Sequence, residues 1–204
     1  MGESENLMYA GAVALFVLAG AVVDARTKKL PNWLTVPACL AGLVFHMVAG
    51  YLGASPGFLR IGDGEGGWAG MGAGALFAAM GFAVGFAVLF PLFLFANGKA
   101  GDVKLLAALG TWVGWFNILL IVIASGVFTV LLSVGFLLWQ ISARGVMQVR
   151  RRYFSRFDAS SMPLRAGESV EEARHRWHVW RRVLPYGLPV ALGTWVLLAW
   201  QLSH

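Results

Sequence analysis

The chain has 204 residues, of which 58% are hydrophobic and only 13% charged, and its net charge is +6. A water-soluble domain carries about a quarter charged residues, so this balance excludes an ordinary soluble enzyme and predicts an all-α protein crossing a membrane several times. The single cysteine, Cys39, lies in an apolar run. It excludes an intrachain disulfide and a paired-cysteine zinc site, and reads as a small packing residue.

The chain opens MGESEN, acidic rather than basic and with no small-residue cleavage pattern. The first apolar run is therefore expected to be retained, not removed as a signal peptide. Six apolar segments follow, at about 7–23, 33–52, 68–96, 103–115, 117–140 and 183–202. The stretch 103–140 is too long for one crossing, for which about 20 residues suffice, so a break is expected near 114–117. These segments predict a single membrane-embedded domain, 1–204, of six transmembrane helices, with a basic loop at 142–182. In the third segment Gly70, Gly74, Gly81 and Gly85 have the spacing of close helix packing. They do not read as a phosphate loop, because no strand precedes them.

Positive charge sets the orientation. Fifteen of the sixteen basic residues fall on one side when six segments are counted, and only Arg60, beside Asp63 and Glu65, falls on the other. That places both termini outside and the basic loops on the cytoplasmic side. The arginines of the loop 142–182, with Tyr153, Trp177 and Trp180, suit either an amphipathic segment on anionic headgroups or a solvated basic loop. Nucleic acid is the weaker partner for them, because the adjacent bilayer already accounts for the charge. His175 and His178 sit in that basic segment and His46 and His204 are isolated, so neither a metal nor another cofactor is expected.

Two aspartates stand at the joins between apolar runs and short polar loops, Asp24 in VVDARTKKLPNWLT and Asp102 in NGKAGDVKLLAALG. An ionisable residue near membrane depth is costly and marks a functional site. Taken alone, Asp24 also fits a surface residue paired with Arg26 or Lys28, and Asp102 also fits a helix N-cap. Pro31 suits the first turn of the second helix, and Asn32 is placed to satisfy free backbone groups there. Gly101 permits close approach of another chain. The charge pattern puts both aspartates on the cytoplasmic side, 78 positions apart in sequence but at similar depth.

The chain resembles the prepilin peptidases, membrane aspartyl proteases with a GxGD motif. The resemblance lies in Asp24, Arg26, Leu30-Pro31-Asn32 and Leu34-Thr35, in Ala100-Gly101-Asp102-Val103-Lys104-Leu105, and in Leu184-Pro185-Tyr186-Gly187. It covers most of the chain, in order. The chain departs from the motif at Lys99, where the first glycine stands. The resemblance implies that Asp24 and Asp102 are catalytic, supported by Pro31, Asn32, Gly101 and Lys104, without metal or cofactor. It also implies cleavage of the leader of a type IV prepilin or pseudopilin at the cytoplasmic face, with pilus or secretion machinery as further partners. The shortness of the chain resembles the peptidase-only branch serving Flp-type pili, with no methyltransferase domain evident. Helix dipoles would favour an ionised Asp102, before its helix, and a protonated Asp24, after its own. Two other classes remain open: a catalytically silent assembly protein, and a small transporter using both aspartates as a proton relay.

Overall fold

The computed structural model describes residues 3–27, 30–54, 66–95, 100–144, 169, 171 and 186–203. Lys28, Lys29, Lys99, nearly all of the basic loop (His175 and His178 with it), and His204 lie outside the described residues. The described residues form helices and no strand: α1 (Glu3–Thr27), α2 (Asn32–Tyr51), α3 (Gly67–Phe95), α4 (Ala100–Arg144) and α5 (Gly187–Ser203). The first four are long and apolar enough to cross a membrane, and α5 is shorter.

The chain forms two compact units, one of Met1–Phe128 with Tyr186–His204, the other of Thr129–Pro185. In the second, the last turns of α4 leave Leu131, Leu137, Leu138 and Trp139 exposed and bury Gln140. The first unit holds both aspartates. Its outer surface carries many apolar side chains: Leu15, Val36, Leu40, Val44, Leu76, Ile123 and Val127 face outward. Its interior includes Thr35, His46, Thr111, Asn117, Ser125 and Thr194. Such an arrangement is stable where the surroundings are hydrocarbon and polar groups must find partners inside.

Helix directions follow from the contacts. Gly50 packs on the Gly70 backbone and Gly74 on the His46 carbonyl, so α2 and α3 run antiparallel. Gly81 packs on the Gly110 carbonyl and Gly85 on that of Leu106, so α3 and α4 do the same. A Cβ at Gly81 would overlap the Gly110 carbonyl, and two backbones can approach so closely only where side chains are missing. Gly81→Val is expected to destabilise the protein by about 1–3 kcal/mol, read as a lower thermal unfolding temperature in detergent. Gly72→Ala, with nothing within 4 Å of its added methyl, leaves that temperature in place.

At about 1.5 Å per residue, α4 would be roughly twice as long as a bilayer core is thick. Gly114 interrupts it with φ 79° and ψ 173°, a conformation that glycine alone adopts readily. The chain reverses there. Before the break, Lys104 bonds Asn32 at the start of α2, and Gly42, midway along α2, packs on Thr111 and Trp112. After it, Asn117 bonds Gln201 near the end of α5, while Ser125 reaches Gly193 and Tyr186. The expected break near 114–117 is present.

The interruption exposes carbonyls that a continuous helix would satisfy. Tyr9 Oη donates to the Trp112 carbonyl. His46 Nε2 donates to the same oxygen at 2.8 Å, and Asn117 Nδ2 donates to the Val113 carbonyl at 3.0 Å. His46, isolated in the sequence, is thus fully buried and holds a helix end. Trp68, Trp115 and Trp200 are exposed at this end of the unit and Trp33 at the other, where indole rings favour the two bilayer interfaces.

Candidate active site

The ends of α1 and the starts of α2, α4 and α5 gather at one end of the first unit. Asp24 is not past the end of α1, as the apolar run suggested. The helix continues to Thr27, whose hydroxyl donates to the Val23 carbonyl at 2.8 Å. Asp24 therefore points into the bundle and is only 1% exposed. That excludes the alternative of a surface residue paired with a neighbouring cation. Its Oδ2 accepts a hydrogen bond from the Gly187 N–H at 3.1 Å.

Gly187 is the first residue of α5. A helix N-terminus presents free N–H groups and a positive dipole end, both suited to a carboxylate. Asp24 thus lies at the last turn of one helix and faces the first turn of another. Both aspartates therefore stand near a helix N-terminus, and the expected division of roles by helix dipole does not follow from their positions. A Cβ on Gly187 would stand 2.9 Å from the Ala21 Cα, closer than carbon atoms pack. Gly187→Ala is expected to push α5 off α1 and cost about 1–3 kcal/mol, seen as reduced thermal stability in detergent.

Asp102 lies in the first turn of α4, which begins at Ala100. It is thus the third helical residue and not the cap. Gly101 before it lets the Leu30 backbone approach: its Cβ would sit 3.3 Å from the Leu30 nitrogen. One turn deeper, Gly20 packs on the Leu105 side chain. These contacts fix the start of α4 against the end of α1 and the segment after it.

Two further links join the motifs. Lys104 Nζ donates to Asn32 Oδ1 at 2.8 Å, tying the first turns of α4 to the first turn of α2. Asn32 does not cap α2, as the sequence suggested. Pro31 occupies the cap position, with its carbonyl accepting from the N–H groups of Leu34 and Thr35. The second link is Tyr186, adjacent to the Asp24 partner Gly187. Its hydroxyl lies 3.4 Å from Ser125 Oγ in the second half of α4, so the residue beside the Asp24 partner also contacts α4. The motif ending Tyr186-Gly187 thus supplies the amide that Asp24 accepts.

The model of the type IV leader peptidase family matches residues 11–134, a stretch containing both aspartates. The chain is 32% identical over 142 residues to a prepilin leader peptidase/N-methyltransferase of Klebsiella pneumoniae, covering 53% of this chain and 51% of the relative. It is 33% identical to that of Pectobacterium carotovorum subsp. carotovorum over 61% of this chain and 42% of the relative. With the Escherichia coli (strain K12) protein of the same name the figures are 34%, 54% and 43%. The chain thus spans about half the length of the curated relatives it matches, or less. No solved structure matches it.

Proposed function

The chain belongs to the type IV leader peptidase family, and on that premise we propose that it is a membrane aspartic endopeptidase acting through Asp24 and Asp102. The observation that carries the proposal is the packing of both aspartate motifs around the end of α1. A buried Asp24 accepts the Gly187 amide, while Gly101, beside Asp102, packs on Leu30 and Leu105 packs on Gly20. Two carboxyl groups from different helices, held at one end of a bundle, suit peptide hydrolysis. One, ionised, takes a proton from water; the other, protonated, donates to the carbonyl oxygen as the tetrahedral adduct forms. The first carboxyl then gives that proton to the leaving nitrogen as the peptide bond breaks, and the second recovers its own from a hydroxyl of the collapsing adduct.

In the proposed topology the break at Gly114 separates two crossings, giving six, with both termini outside and the carboxylates at the cytoplasmic face of the inner membrane. The proposed substrate is the leader of a type IV prepilin or pseudopilin, of the Flp type, and the associated pilus or secretion machinery and anionic headgroups are the proposed partners. The relatives' printed name supports leader cleavage; the family match contains Asp24, Asp102, Lys104 and Asn32, which supports the peptidase reaction for this chain. Pro31, Asn32, Gly101 and Lys104 are assigned to holding the two motifs in register.

Co-expression with a small prepilin tests the reading. The expected result is a shortened prepilin whose new N-terminus, identified by mass spectrometry, begins at the border of its apolar stretch. An unprocessed prepilin beside a stably inserted wild-type chain would instead favour a silent assembly protein.

A further inference from the structure

α2 and α3 meet closely at one end, through Gly50 and Gly70 and through His46 and Gly74. Toward the aspartate end they part, because Gly81 and Gly85 of α3 follow α4 instead. The space between them is a groove of about 310 Å³. Thr35, Val36, Cys39 and Leu40 form one wall, Phe82 and Phe86 the other, and Ala107 and Ala108 the floor. At its aspartate end it is lined by the Lys104–Asn32 pair, which belongs to the two motifs of the site.

Thr35 supplies an independent sign of a ligand. It is 3% exposed and lines the groove, yet its hydroxyl has no hydrogen-bond partner among the described residues. A buried hydroxyl without a partner is unfavourable, the more so at membrane depth. A lipid acyl chain fills apolar space but offers no hydrogen bond. A peptide segment offers both apolar side chains and backbone carbonyls and amides. The position of the groove adds direction, since it begins at the aspartate end, at Asn32 and Lys104, and runs along α2 for about two turns.

We propose that this groove is the specificity site for the apolar segment on the C-terminal side of the cleaved bond. The Thr35 hydroxyl bonds the backbone of that segment, and the Ala107–Ala108 floor leaves room for its side chains. The assignment rests on the proteolytic reading above. Phe82 and Phe86 limit the groove to a narrow segment, so bulky side chains at the positions that enter it are disfavoured.

Cys39, the only cysteine in the chain, serves as the probe. The Asp24→Asn protein in liposomes is mixed with a prepilin carrying single cysteines along its apolar segment and is mildly oxidised. A disulfide to Cys39 from positions on one face of that segment is expected. In the active protein, Ala108→Phe and Val36→Trp each fill the groove and are expected to raise KM about tenfold with kcat within about twofold. Val36 is exposed, so its variant tests the groove even where the floor variant fails to fold. Thr35→Val is expected to raise KM about fivefold and Thr35→Ser to restore it, as the loss of one hydrogen bond predicts. If the wild type cuts prepilin while no position cross-links, or Val36→Trp keeps the wild-type KM, the groove holds lipid and the inference is overturned. A wild-type chain that cuts no prepilin overturns the proteolytic reading and the substrate assignment together.

Discussion

Asp24→Asn and Asp102→Asn are each expected to reduce leader cleavage by at least about a thousandfold, and the double variant to be no slower than either single. Two groups that share one proton and one water cannot act separately, so removing either removes the unit. The fold is expected to persist. In Asp24→Asn the side-chain amide retains an oxygen acceptor for the Gly187 N–H, which bonds Asp24 at 3.1 Å in the wild type. In Asp102→Asn the new side chain stays in the first turn of α4, where the Leu30–Gly101 contact and the Lys104–Asn32 bond are untouched. Circular dichroism and thermal unfolding in detergent separate loss of chemistry from loss of structure. A single variant keeping about a tenth of wild-type activity would show that the carboxylates do not act as a pair.

The second large effect is structural and lies at the opposite end of the bundle. Tyr9 and His46 both donate to the Trp112 carbonyl, at the turn where Gly114 breaks α4. Either donor alone satisfies that oxygen. Tyr9→Phe and His46→Phe are therefore expected to cost about 1 kcal/mol each. The double variant leaves a buried carbonyl unbonded at membrane depth and is expected to cost more than the two singles together, about 3 kcal/mol or more. A thermal-unfolding double-mutant cycle in detergent measures the coupling. Strict additivity would mean that the two side chains do not serve one acceptor.

Much of the fold was legible because membrane helices obey length and composition. The helix starts and ends of α2 and α3 agree with their apolar runs to within a residue, and the break at Gly114 follows from the excessive length of α4 alone. The glycine spacing in α3 identified a packing seam because only missing side chains let backbones approach so closely. What the sequence concealed were contacts between distant segments. Apolar counting stopped α1 before Asp24, although a helix whose carboxylate is buried by a partner continues past it. Asn32 looked like a cap because its partner, Lys104, is 72 residues away. His46 looked isolated because it bonds a backbone carbonyl, which no side-chain pattern reveals. The aspartates themselves were legible from their motifs. The bond between Asp24 and Gly187 was not, because it is made through a backbone amide.

The central claim is that motifs 78 positions apart form one site, and a cysteine pair tests it most directly. In a Cys39→Ala background, Asp24→Cys and Asp102→Cys are treated in the membrane with a short bismaleimide. The account predicts an intramolecular cross-link between them, formed equally in dilute, monomeric protein and blocked by reagents applied from the cytoplasmic side. Two cysteines that react singly but never with each other would contradict it.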